Sequence, residues 1–329
     1  MAPQLFQVKT CWLLFDAEKK GSENQCHGLG EALAFSSIST KPLPKSNFLR
    51  FIPRLFWPLF LRFKKGILLD ISREKLPDFI ISSGTRASAV AAFLKKKSPS
   101  KIQVVNILNP RLPPKYFDLI IAPEHDDLKG GNILNILGSL HAITAQKLQK
   151  IQENLPFQTR ENDQITVAIL LGGPSKSFHM TQDVFENLGR HIRSFHEENK
   201  VTFLVSVSRR TPLSFKDAFL KETKGISLKI YDPTSLHESS NPYLEYLSLA
   251  DYILVSADSI SMVAEACSTG KPVYTVGTEN MPPKFQHFHK TLKDRHYTRP
   301  FVGQFDFWEA LPLNETQRIS KKVKELLKL

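Results

Sequence analysis

Six clusters of small and polar residues fall where apolar runs of the chain end: GSENQ (21–25), SSGTRAS (82–88), APEHDD (122–127), LGGPSK (171–176), SRRTP (208–212) and VSADSISM (255–262). Gly172 and Gly173 lack a Cβ, so their backbone N–H groups can approach an anion closely, and Ser175 adds a hydroxyl. The spacing matches neither the GxxxxGK[ST] of a P-loop nor the GxGxxG of a dinucleotide site. Arg209 and Arg210 bring two guanidinium groups to the same rim, a geometry that suits phosphate oxygens. After Asp258 a helix is expected to begin near Ser259. Its free N–H groups favour a negative ligand, and Ser259 and Ser261 add hydroxyls. Glu265 lies one turn beyond Ser261 on the same face. These three clusters together read as a diphosphate cradle. In APEHD, Glu124, His125 and Asp126 have the composition of a general base, because a neighbouring carboxylate orients an imidazole and raises its basicity. The same three residues also suit a turn that caps a following helix.

The runs that carry these clusters read as buried strands: 7–15, 78–84, 101–108, 118–123, 165–173, 201–208, 227–233, 252–258 and 272–278. Helical patterns lie between most of them, from about Gln25 to Leu33, over 85–97, from about Ile136 to Glu153 and over 181–197. Buried runs alternating with helices predict parallel sheets covered on both faces. The series restarts at Ile165, with the polar segment 156–163 as a linker, so two doubly wound domains are expected, 1–155 and 156–329. The last segment, NETQRISKKVKELLKL, predicts a terminal helix in the second domain.

Lys and Arg number 44 against 32 Asp and Glu, a formal charge of +12 that points to a polyanionic partner. Between Ala32 and Leu69 there are seven basic residues and no acidic one. Within this stretch, FLRFIPRLFWPLFLRFKK (48–65) sets an aromatic and aliphatic arc, including Phe56 and Phe60 beside Trp57, against a basic arc that includes Arg50, Arg54 and Arg62. Opposed arcs of this kind suit an anionic membrane surface, with Pro53 and Pro58 dividing the segment into two pieces. No motif for nucleic acid is present. Cys11, Cys26 and Cys267 form no metal or disulfide spacing, which fits a reducing compartment, and the histidines sit in no ligand pattern. Neither a leader nor an apolar run long enough for a membrane span is expected, so the location expected is cytoplasmic, peripheral at the inner face of a membrane.

The blocks 109–132, 170–176, 208–212 and 241–276, in this order, resemble the mitochondrial-fission Elongated Mitochondria family, and GSENQ and SSGTRASA fit as well. The resemblance implies a GT-B-like fold, two Rossmann-like domains facing a central cleft, with the donor site in the second. DSISMVAEACSTGKPV is also similar to the donor block of the peptidoglycan N-acetylglucosamine transferase, which implies Glu265 as a ribose ligand. On this basis the expected activity is metal-independent transfer of a sugar, without a cofactor, from a nucleotide-sugar donor to a lipid-linked or envelope saccharide. The donor residues would be Gly172, Gly173, Ser175, Arg209, Arg210, Asp258, Ser259, Ser261 and Glu265. The catalytic residues would be His125, Asp126 and Glu124, and Asn24, Gln25, Gly84, Thr85 and Arg86 would lie on the acceptor side. Plant members of the family imply a different role, an adaptor that recruits a dynamin-like fission protein.

Overall fold

The structure is a computed structural model and describes residues 9–45, 74–98, 101–155, 164–175, 178–235, 241–279 and 281–329. It divides into two compact units, 1–142 with 314–329, and 143–313. The first contains β1 (Thr10–Asp16), α1 (Lys20–Leu33), β2 (Ser37–Leu43), β3 (Phe79–Ser83), α2 (Thr85–Lys97), β4 (Gln103–Ile107), β5 (Leu119–Pro123) and β6 (Ile133–Ile136). The second contains α3 (Ala145–Asn154), β7 (Ile165–Leu171), α4 (Gln182–Glu198), β8 (Val201–Val207), α5 (Leu213–Glu222), β9 (Leu228–Tyr231), α6 (Tyr243–Leu249), β10 (Tyr252–Ser256), α7 (Ile260–Cys267), β11 (Val273–Val276), α8 (Pro283–Asp294) and β12 (Thr298–Pro300). The last helix, α9 (Glu315–Leu327), belongs to the first unit.

Each unit is built on a six-stranded sheet in which every neighbouring pair is parallel, ordered β2-β1-β3-β4-β5-β6 and β12-β11-β10-β7-β8-β9. Strand alternation sends Leu14, Ile80, Val104 and Ile120 to the face covered by Ala87, Val90 and Leu94 of α2. Their neighbours Leu13, Phe79, Ile81 and Val105 face Cys26, Leu29 and Leu33 of α1, and Ile319 and Val323 of α9. In the second sheet Val167, Ile169, Phe203 and Val205 pack on Phe185, Leu188 and Ile192 of α4. Burial on both faces is what makes these strands continuous apolar runs. Winding reverses between β1 and β3 in the first sheet and between β10 and β7 in the second, and the ends of such strands are where open α/β sheets bind ligands.

Four expectations are corrected. The helix expected from about Gln25, after a turn at GSEN, starts earlier: α1 begins at Lys20 and contains that segment. The helix expected from about Ile136 is strand β6 up to that residue, and α3 begins only at Ala145, where Thr144 Oγ1 accepts the Lys147 N–H at 3.2 Å. Strands β2, β6 and β12 were not expected, and all three lie at sheet edges, where burial is incomplete and no apolar run is needed. The domain boundary falls at 142/143, so α3 joins the second unit, and α9 returns to the first because its apolar face completes the α1 side of that core. The linker segment 156–163 and the basic, aromatic segment 48–65, with Arg50, Arg54, Phe56, Trp57, Phe60 and Arg62, lie outside the described residues.

Candidate functional site

In the second unit the segments leaving β7, β8 and β10 meet at the winding reversal. The Gly172 N–H donates to Ser256 Oγ (2.6 Å), and Ser256 Oγ donates to Asp258 Oδ1 (2.7 Å). The Gly173 N–H donates to Asp258 Oδ2 (3.0 Å). Arg210 reaches the same oxygen from Nη2 (2.8 Å) and the Gly173 carbonyl from Nη1 (2.6 Å). The Asp258 side chain has no exposure (0 %), and a buried carboxylate needs donors of this kind. A Cβ on Gly172 would lie 2.2 Å from Asp258 Oδ1, and one on Gly173 2.3 Å from the Arg210 carbonyl oxygen, so close approach dictates both glycines. The anion that Gly173 and Arg210 meet is thus the chain's own Asp258, and Gly172 reaches it through the Ser256 hydroxyl. The expected role of the two glycine N–H groups and of Asp258 is corrected accordingly: they hold the loop ends to one another, as a wall of the loop cluster. Ser175 pairs with Phe178, donating its N–H to that carbonyl at 2.8 Å.

The tip of α7 is different. Ser259 caps it, Oγ accepting the Met262 N–H at 3.4 Å, while the N–H groups of Ile260 and Ser261 have no acceptor among the described residues. A helix start with free donors favours an anion. Ser261 is partly exposed and Arg209, at the end of β8, is exposed. Further along α7, Glu265 is buried (8 % exposed) and accepts from Tyr243 Oη at 2.6 Å. No cation contacts it among the described residues. Burial pushes its carboxyl up to about 7, against the pull of the Tyr243 hydrogen bond. Burial, and then the Glu265 charge, raises Tyr243 well above the usual tyrosine range. His289 of α8 underlies the same loop, with Nε2 2.8 Å from the Ala257 carbonyl oxygen. Burial lowers its pKa, partly offset by that carbonyl and by Asp258.

The first unit repeats the theme. Asp16, at the end of β1 and 2 % exposed, accepts the Arg86 and Ala87 N–H groups at 3.1 Å each. Its other neighbours are Lys19 Nζ (3.5 Å) and Arg86 Nε (3.7 Å), and Arg86 Nη2 pairs with Glu18. Gly84 has φ +104°, and a Cβ there would lie 2.6 Å from the Asp16 carboxyl carbon. The tip of α2, with Gly84, Thr85 and Arg86, is therefore filled by Asp16. In α1, Asn24 is exposed, whereas Gln25 is buried and its Oε1 has no hydrogen-bond partner. Glu124–Asp126 form one 3-10 turn closed by Asp127 in the left-handed region (φ +47°). The His125 side chain is 3 % exposed and its Nε2 lies 3.9 Å from Asp126 Oδ1. No helix follows the turn, since the chain runs on to β6.

Sequence reasoning missed Tyr243, Ser256, Asp16 and His289. Ser256 stands two residues before Asp258, the spacing of one strand face, which is a usable signal. The others are brought in from distant elements. The three cysteines are buried, with burial pushing the Cys11 thiol up to about 12 and the other two higher, so they are poor nucleophiles. Among the described residues no group of three His, Cys, Asp or Glu could hold a metal ion, and no helix is long and apolar enough to cross a membrane.

The family model described as mitochondrial fission ELM1 matches residues 20–327. The uncharacterized protein RP120 of Rickettsia prowazekii is 30 % identical over 365 residues, 97 % of this chain and 98 % of that one. The mitochondrial fission protein ELM1 of Arabidopsis thaliana is 26 % identical over 293 residues, 80 % of this chain and 67 % of that one. Among solved structures, UDP-GlcNAc 2-epimerase from Neisseria meningitidis bound to UDP-GlcNAc aligns with a TM-score of 0.52 at 14 % identity, over 97 % of this chain and 100 % of that one. The likeness is one of fold, and the fold of two doubly wound units is GT-B-like.

Proposed function

The chain belongs to the mitochondrial fission ELM1 family, and we propose that it is a membrane-peripheral GT-B-like glycosyltransferase that takes its sugar from a nucleotide-sugar donor. The observation that carries this reading is Glu265: a buried carboxyl with no cation beside it among the described residues, on a helix whose tip offers N–H donors without an acceptor among them. A structural carboxylate at this depth would be paired. A ligand with phosphates at the tip of α7 and ribose hydroxyls at Glu265 accounts for both features, and a nucleotide sugar is such a ligand. The fold neighbour bound to UDP-GlcNAc supports the same substrate class.

In this reading the donors at Ile260 and Ser261, the hydroxyls of Ser259 and Ser261 and the guanidinium of Arg209 take up charge on the departing diphosphate without a metal. Asp258 and Arg210 hold the loops that present them. His125 or Asp126, beside Glu124, would deprotonate the hydroxyl of a lipid-linked or envelope saccharide. Calorimetry with UDP and GDP tests the donor site: Glu265→Gln should weaken binding by roughly 1–3 kcal/mol. Equal affinity in the two proteins would remove Glu265 from the site. Replacing the base should slow sugar transfer by ~10²–10⁴-fold with donor binding retained, and normal turnover in both variants would leave the EHD turn without a catalytic role.

Family membership favours a second reading, a non-catalytic adaptor for a fission protein. Failure of the wild type to bind either nucleotide, or to hydrolyse any nucleotide sugar, would support it.

A further inference from the structure

We propose that Tyr243 occupies one of the two places at Glu265 where a ribose hydroxyl would bind, so that the site reads the two ribose hydroxyls unequally. This rests on Glu265 being the ribose ligand. An ionised carboxylate has two oxygens and can accept from two neighbouring hydroxyls at once. Here Oε2 is taken by Tyr243 Oη at 2.6 Å, a length usual for a charge-assisted bond. Oε1 has no partner among the described residues, although the residue as a whole is 8 % exposed.

The phenol sits on a fixed support. Tyr243 is the first residue of α6, and its N–H is held by Asn241 Oδ1 at 3.0 Å. The other end of α6 is pinned by Lys271, whose Nζ donates to the Leu247 and Ser248 carbonyls at 2.7 Å each. A hydroxyl held this way remains on Oε2 when a ligand enters. One ribose hydroxyl then donates to the charged Oε1. The other finds at best the phenol oxygen, a neutral acceptor of roughly half the strength. Tyr243 is thus a specificity-determining residue of the donor site.

The test is calorimetry at about pH 8, where Glu265 is ionised, with UDP, GDP and the 2′-deoxy and 3′-deoxy forms of each. For the wild type we expect one deoxy form to bind about tenfold or more weakly than the parent, and the other less than about threefold. In Tyr243→Phe, which keeps the ring, both deoxy forms should lose about tenfold, because Oε2 is now open to the second hydroxyl. Equal losses for the two deoxy forms in the wild type would overturn the role of Tyr243 while leaving Glu265 as ribose ligand. No loss for either form would overturn both assignments, as would no binding of any nucleotide. The wild-type comparison stands whether or not the variant folds.

Discussion

Glu265 is held above its ordinary range by burial, and that has a consequence for stability at the level of a single side chain. A carboxyl whose folded value is raised contributes stability below its unfolded value and loses it as pH rises through the folded one. Here the window runs from the ordinary 4.5 to about 7. Glu265→Gln does not titrate, so urea denaturation should show the variant gaining on the wild type between about pH 5 and pH 8, by on the order of 3 kcal/mol. A constant difference across that range would mean that Glu265 carries no such burden. Asp258 shows the opposite solution to the same problem. It is fully buried, but Ser256, Gly173 and Arg210 all donate to it. The two carboxylates lie seven positions apart in one short stretch, and only their partners tell a wall from a candidate ligand.

Among the elements, α2 and α7 start alike, directly after a buried strand, and differ in what fills the tip. Asp16 from β1 closes α2, and among the described residues no carboxylate closes α7. An anion added from outside should therefore favour α7. The basic, aromatic segment 48–65 belongs at this scale too. Its arcs predict pelleting with anionic vesicles at low salt, weakened by added salt, and lost without unfolding when Phe56, Trp57 and Phe60 are changed to Ser. Indifference to vesicles, or collapse of the variant, would make the segment part of the core. The edge strands β2 and β12 carry Pro42 and Pro300 where a missing N–H costs least, which is also why neither reads as a strand in the sequence.

At the scale of the whole chain, its end folds back onto its beginning. Ile319 and Val323 of α9 enter the core beside Leu29 and Leu33. Glu315 Oε2 accepts the Leu137 N–H at 2.8 Å, and Thr316 Oγ1 both accepts the His141 N–H (3.1 Å) and donates to its carbonyl (2.9 Å). Removing 314–329 should cost the first unit roughly 3–6 kcal/mol from the two aliphatic side chains alone. Hydrogen exchange should then show α1 losing protection while α4 in the second unit keeps it. Equal loss in both would mean that the two units unfold as one.

The sequence by itself determined the two series of buried parallel strands, their winding and the rim of loops at their ends, because a strand buried on both faces must be apolar throughout and loop chemistry must follow it. It also placed the start of α7 near Ser259, the residue that caps it, because cap and hydroxyls are local. Tertiary structure alone decided which carboxylate is paired. Arg210 reaches Asp258 from another strand, Tyr243 reaches Glu265 from another helix, and Asp16 reaches the tip of α2 across 70 residues. It also decided that α9 completes the first unit, since an amphipathic helix records that it has an apolar face and not which core receives it.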